Sequence, residues 1–189
     1  MNQKELEQRL AAFCAPTLLG AKVGSLVCLS QDEFPTLSAQ VQRYNAKLGR
    51  HGLRFEILRE QGGRSLVFVY WTQRLQARLA RPAVMQILRP LGYPVGGTLN
   101  QMLQVLRIRL MQQHFPHEIG LFLEYPLADI EGFIEHQGKD ALESGYWKVY
   151  GDVEQARAAF RLYDELKMAL TTMLAAGFSF RECCAAQAA

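Results

Sequence analysis

Apolar residues recur at three- and four-residue steps near the start of the chain, where Leu6, Leu10 and Phe13 mark a short amphipathic helix over residues 4–13. It is predicted to end near Ala15-Pro16, because proline has no N–H to continue the ladder. Residues 25–30 form a short apolar run between Gly24 and a polar Gln-Asp-Glu, the pattern of a buried strand. Leu37, Val41, Tyr44 and Leu48 then repeat at helical spacing behind Pro35, and Gly49 and Gly52 end that helix.

Two further strand-like runs, residues 53–58 and 65–71, flank Gln61-Gly62-Gly63-Arg64, and the glycine pair can supply the positive φ angles of a tight hairpin. The first run alternates imperfectly, with Arg54, Glu56 and Arg59 set against Phe55, Ile57 and Leu58. The second is apolar throughout, which predicts a position at the sheet centre.

Thr72 can cap a helix running through Leu75 and Leu79, and Pro82 opens another. Residues 91–97 read as a loop, after which Thr98 starts a helix with Met102, Val105, Leu106 and Leu110 on one face. Beyond the break at His114-Phe115-Pro116-His117 come two short segments, residues 118–123 and 127–134, separated by Tyr125-Pro126. Residues 145–150 read as a strand and 153–176 as a long terminal helix. The fold class expected is α+β: one mostly antiparallel sheet of about four strands packed with helices, starting as a split β-α-β arrangement, with a helical insertion before the last strand.

Composition narrows this picture to one domain. A chain of 189 residues, 49% hydrophobic and 21% charged, can bury enough apolar surface to order itself. No apolar run approaches the roughly 20 residues that span a bilayer, and the first ten residues are too polar for a signal peptide. A cytoplasmic location with no membrane partner is expected. Cys14, Cys28, Cys183 and Cys184 are expected as free thiols, the last two as an incidental feature of a small-residue tail whose final residues are flexible.

Charge is unevenly distributed: residues 41–110 carry twelve Lys or Arg against only Glu56 and Glu60, and the acids gather in the C-terminal third. Either the acidic third folds back on the basic middle, or the middle presents an anion-binding face.

Residues 117–134, from His117-Glu118-Ile119-Gly120 through Tyr125-Pro126 to Ile134, and Gly145-Tyr146-Trp147-Lys148-Val149-Tyr150-Gly151-Asp152 resemble a bacterial family known as domain of unknown function 3793. The resemblance extends to Cys14-Ala15-Pro16-Thr17 and Gly20-Ala21-Lys22, so it covers nearly the whole chain. It implies an intracellular protein of anaerobic Gram-positive bacteria and carries over no reaction or ligand. The family tends to have glycine where Glu124 stands and often a cysteine near Ser144. Those departures bear on the turn after Leu123 and on any thiol chemistry beside Trp147.

Several constellations have the residue types for chemistry. Cys14 at a helix end, with His117 as base and Glu118 or Asp129 as its orienting acid, has the composition of a thiol-dependent hydrolase or transferase site. The alternative for Cys14 is a small buried apolar residue, and for His117 a helix cap. Cysteine and histidine also permit metal or haem, but Pro116 between His114 and His117 disrupts a common helical face, so no metal site is assigned and the cofactor is left unknown. The cadence of residues 118–134 matches a helix-turn-helix, yet Asp129, Glu131 and Glu135 would repel phosphates. Lys22, Tyr125, Tyr146, Trp147 and Lys148 are candidate ligand-binding residues, with Trp147 also expected to pack. The leading expectation is a small-ligand- or partner-binding protein with its site near Cys14 and His117-Glu118. A thiol enzyme using Cys14 and His117, and a nucleic-acid or anion-binding module using the basic middle, are the alternatives.

Overall fold

The computed structural model describes residues 3–185, so the tail expected to be flexible, residues 186–189, lies outside the described residues. Three strands form an antiparallel sheet in the order β1 (Gly24–Ser30), β3 (Arg64–Trp71), β2 (Leu53–Gln61). The hairpin of β2 and β3 forms as expected, and β3 is central, buried along its whole length after Arg64. Its side chains divide by parity: Val67, Val69 and Trp71 enter one hydrophobic cluster and Leu66, Phe68 and Tyr70 the other. A strand apolar on both faces requires a helical layer on each side.

The first layer contains α1 (Gln3–Leu18), α2 (Leu37–Leu48), the C-terminal part of α8 (Val153–Ala175) and α9 (Phe180–Ala185). The second contains α3 (Thr72–Leu79), α4 (Pro82–Leu88), α5 (Leu99–Leu110), α6 (Ile119–Phe122) and α7 (Leu127–Glu135). Leu37, Val41, Tyr44 and Leu48 are the buried stripe of α2, as their spacing predicts. At β2 the register shifts between Ile57 and Arg59, a bulge that leaves Leu58 in the second cluster and sets Arg59 opposite Leu66 on that same face. That bulge accounts for the broken alternation in the sequence.

Four expectations need correction. The sheet has three strands, because residues 145–150 form only β5 (Lys148–Val149), paired with β4 (Glu143–Ser144) in a separate ribbon. Helix α1 continues past Pro16 to Leu18: a proline in the last turn forfeits one bond, and its own carbonyl accepts from the N–H groups of Ala21 and Lys22. Thr72 is the first helical residue of α3 rather than its cap. Cys183 and Cys184 are not incidental, since both are buried in the first cluster on α9, where Phe180 meets Tyr44 and Phe55. A capping box holds that helix, with Ser179 and Glu182 exchanging side-chain-to-backbone bonds of 3.2 and 2.9 Å. All four cysteines are free thiols. No helix among the described residues is long and apolar enough to cross a membrane.

Helix α8, 23 residues and so about 35 Å long, runs from the ribbon to the first layer. Its C-terminal half contributes Leu170 to the first cluster, and its N-terminal half packs Ala156 and Tyr163 against the ribbon. The second layer meets the sheet closely at Gly24, where a Cβ would lie 2.7 Å from both the Phe122 carbonyl oxygen and the Phe68 ring. Gly24→Ala is therefore expected to lower stability by roughly 2–3 kcal/mol in urea unfolding, through overpacking at the end of α6. An unchanged midpoint would show that α6 is free to shift away from the sheet.

Candidate functional site

Short helices need outside partners for their end groups, and α6 obtains them from the basic middle of the chain. The Arg109 guanidinium pairs with Glu118, whose carboxylate also accepts from the Tyr93 hydroxyl at 3.1 Å. Arg78 donates to the carbonyls of Leu121 at 2.7 Å and Tyr125 at 2.6 Å, closing the C-terminal end of α6. Glu124 follows at φ 62°, the left-handed region that glycine adopts freely. Its carboxylate accepts from the Val23 N–H at 2.6 Å, a bond that glycine cannot offer.

Across the turn, buried Asp129 on α7 accepts three bonds: from Trp147 Nε1 at 2.6 Å and from the N–H groups of Tyr150 and Gly151 at 2.8 Å each. A buried carboxylate needs several donors, and here they come from the ribbon and the start of the segment after it. Trp147 is thereby held against Tyr125, ring centroids 5.2 Å apart and nearly parallel, and edge-on to Phe160. The Tyr125 hydroxyl donates to the Tyr146 carbonyl at 3.1 Å.

Between α6, α7 and the ribbon lies a cavity of about 280 Å³. Tyr125, Trp147, Phe133 and Ile130 line it, and Gly120 leaves space there, since a Cβ on it would stand 3.1 Å from both Ile130 and Tyr125. His117, Phe115 and Lys148 are its exposed residues, with the His117 ring 4.9 Å from that of Phe133. Lys148 also donates to the Gly138 carbonyl at 2.5 Å. All the lining residues except Phe115 come from residues 117–134 and 145–152.

The five residues nominated for ligand binding gather around Tyr125. Trp147 stacks on it, Tyr146 accepts its hydroxyl bond, Lys148 lines the same cavity, and the Lys22 ammonium sits over its ring at 4.9 Å. Lys22 is 5% exposed, also faces the Tyr163 ring at 5.7 Å, and forms no ion pair among the described residues. Burial lowers its pKa to about 8, against the opposing influence of Cys14 and Glu124.

The catalytic grouping does not assemble. Cys14 is wholly enclosed in the first cluster, and burial pushes its thiol up to about 12, which keeps it neutral and unreactive. His117 stands at the cavity beside Phe133, while Glu118 is engaged by Arg109 and Tyr93. No three of His, Cys, Asp and Glu cluster for a metal ion among the described residues. The helix-turn-helix cadence yields an α6 of only four residues, too short for that motif. Sequence reasoning missed Phe133, Ile130 and Ile119 as cavity walls. The available signal was a lone acid, Asp129, within the apolar run Leu127-Ala128-Asp129-Ile130, which marks a buried carboxylate with fixed partners.

Residues 10–184 match a family model described as protein of unknown function (DUF3793). No curated protein and no solved structure matches the chain.

Removing the Asp129 acceptor leaves three donors stranded, so Asp129→Ala is expected to cost about 3 kcal/mol and to release the Trp147 ring, read by urea unfolding and near-ultraviolet circular dichroism. Asp129→Asn, which keeps an acceptor oxygen, should lose less; equal losses would contradict the bonding scheme. Lys22 has a second consequence. Its folded pKa of about 8 lies below its ordinary 10.5, so its burial costs stability that builds up as pH falls from 10.5 to 8 and is fully present below 8. Above pH 9 the raised Cys14 thiol acts in the opposite sense. Lys22→Met should therefore raise stability at pH 7 and lose part of that advantage by pH 9, in paired urea titrations. A pH-independent difference would remove the buried-ammonium account.

Proposed function

The chain belongs to the DUF3793 family of proteins of unknown function, and we propose that it binds a flat, one- or two-ring aromatic molecule in the cavity between α6, α7 and the ribbon. The observation that carries this reading is the cavity itself, a preformed space walled by the stacked Tyr125–Trp147 pair and Phe133. Its volume of about 280 Å³ is at the lower end of small-molecule sites, which suits a molecule of one or two rings. Aromatic walls favour offset or edge-on contact with another π-system. Lys148 and His117 at the exposed side suit an acidic or hydrogen-bond-accepting group on the ligand.

Burial of roughly 200 Å² of flat apolar surface is worth about 5 kcal/mol, which corresponds to a Kd on the order of 0.1 mM before polar contacts add to it. The chemistry is recognition. Among the described residues the cavity holds no activated nucleophile, because Cys14 is sealed elsewhere and Asp129 is occupied by its three donors.

Isothermal titration with 2-naphthoate should give saturable binding, with cyclohexane carboxylate at least about tenfold weaker because it cannot stack. Phe133→Ala, which removes a half-buried wall, is expected to weaken 2-naphthoate by about tenfold while leaving urea stability nearly unchanged. Absence of saturable binding, or equal affinity in the Phe133 variant, would rule this reading out.

A further inference from the structure

Four arginines of the basic middle are internal donors. Arg59 donates to the Leu110 carbonyl at 3.0 Å, Arg74 to that of Gly20 at 2.5 Å and Arg78 to those of Leu121 and Tyr125, while Arg109 pairs with Glu118. Arg59, Arg74 and Arg78 thereby close the C-terminal ends of helices, where a cation is favoured. Two others, Arg54 and Arg107, face a polar cleft of about 550 Å³ that shares no lining residue with the aromatic cavity.

Arg54 is exposed, forms no ion pair among the described residues, and lies along Gly49 so closely that a Cβ there would stand 3.1 Å from its guanidinium. That packing limits its freedom and presets its direction. Arg107 pairs with one oxygen of Glu56, whose other oxygen accepts from the Tyr70 hydroxyl at 2.7 Å. Its side chain remains 43% exposed, and a guanidinium has further N–H donors to offer. Two positive charges against the single Glu56 leave the cleft lining cationic.

The backbone adds donors at the same place. The capping box of α5 engages the N–H groups of Thr98 and Gln101, and that of Met102 bonds to the Thr98 carbonyl. The N–H groups of Leu99 and Asn100, at the first two helical positions, have no acceptor among the described residues, and both residues line the cleft. The hydroxyl of Thr72, another lining residue, is buried without a partner among the described residues.

We propose that this cleft is a second site, which takes a phosphorylated small molecule of nucleotide or sugar-phosphate size. Arg54 and Arg107 grip the phosphoryl oxygens, the Leu99 and Asn100 N–H groups complete the cradle, and the remaining volume holds the rest of the ligand. A concave site with two arginines fits a single phosphate better than a polyanion, which needs a row of surface cations.

The test is a ¹⁵N-resolved NMR titration of the full chain at constant ionic strength with AMP, glucose 6-phosphate and inorganic phosphate. The expected result is saturable shifts of the Leu99 and Asn100 amides with at least one of the two esters, at lower concentration than with inorganic phosphate. Arg54→Gln should weaken that response about tenfold with the rest of the spectrum unchanged. The proposal is overturned if these amides do not respond, if inorganic phosphate binds as tightly as both esters, or if Arg54→Gln has no effect. It is equally overturned if a 12-nucleotide DNA strand shifts the same amides at lower phosphate concentration than either ester.

Discussion

Strand β3 is apolar on both faces, and that constraint shapes everything packed around it. Val67, Val69 and Trp71 need one covering layer, and Leu66, Phe68 and Tyr70 another. The first is supplied by α1, α2, α9 and part of α8. The second is assembled from α3 to α7, of which α7 also packs against the two-stranded ribbon. Short helices joined by a sharp turn fill space less completely than long ones, and the cavity lies between them.

Polar groups then fix what hydrophobic packing leaves adjustable. Asp129 ties α7 to the ribbon through three N–H groups, Arg78 closes the end of α6, and Glu124 reaches back to the backbone where β1 begins. The charge asymmetry of the sequence has its explanation here. Of the two outcomes considered, a return of the acidic third onto the basic middle is realised chiefly at Arg109–Glu118, and most other internal arginines meet carbonyl oxygens rather than acids. What is left facing solvent in concave form is the Arg54–Arg107 cleft.

Much of the fold was legible because it is written in local periodicity. The α2 stripe, the hairpin, the central strand, the helix starting at Thr98 and the long α8 all follow from spacing and turn chemistry. The ribbon was not, because a two-residue pairing has no periodicity and depends on Asp129 some twenty residues away. Helix α9 was readable in principle, since Ser179 and Glu182 have capping-box spacing, but its small residues disguised a buried segment. In the candidate site, the aromatic and lysine residues of 145–152 and Tyr125 were identifiable by type. The grouping of Cys14 with His117 was not decidable from spacing, since burial in three dimensions determines whether a thiol ionises.

Occupation of the cavity by a flat aromatic ligand is tested most directly by intermolecular nuclear Overhauser effects between 2-naphthoate and the methyl groups of the protein. Contacts from the naphthalene protons to the Ile119 and Ile130 methyls, both of which line the cavity, are the predicted result. Contacts only to exposed methyls such as those of Ile108 or Val95, or none at any residue at saturating ligand, would contradict it.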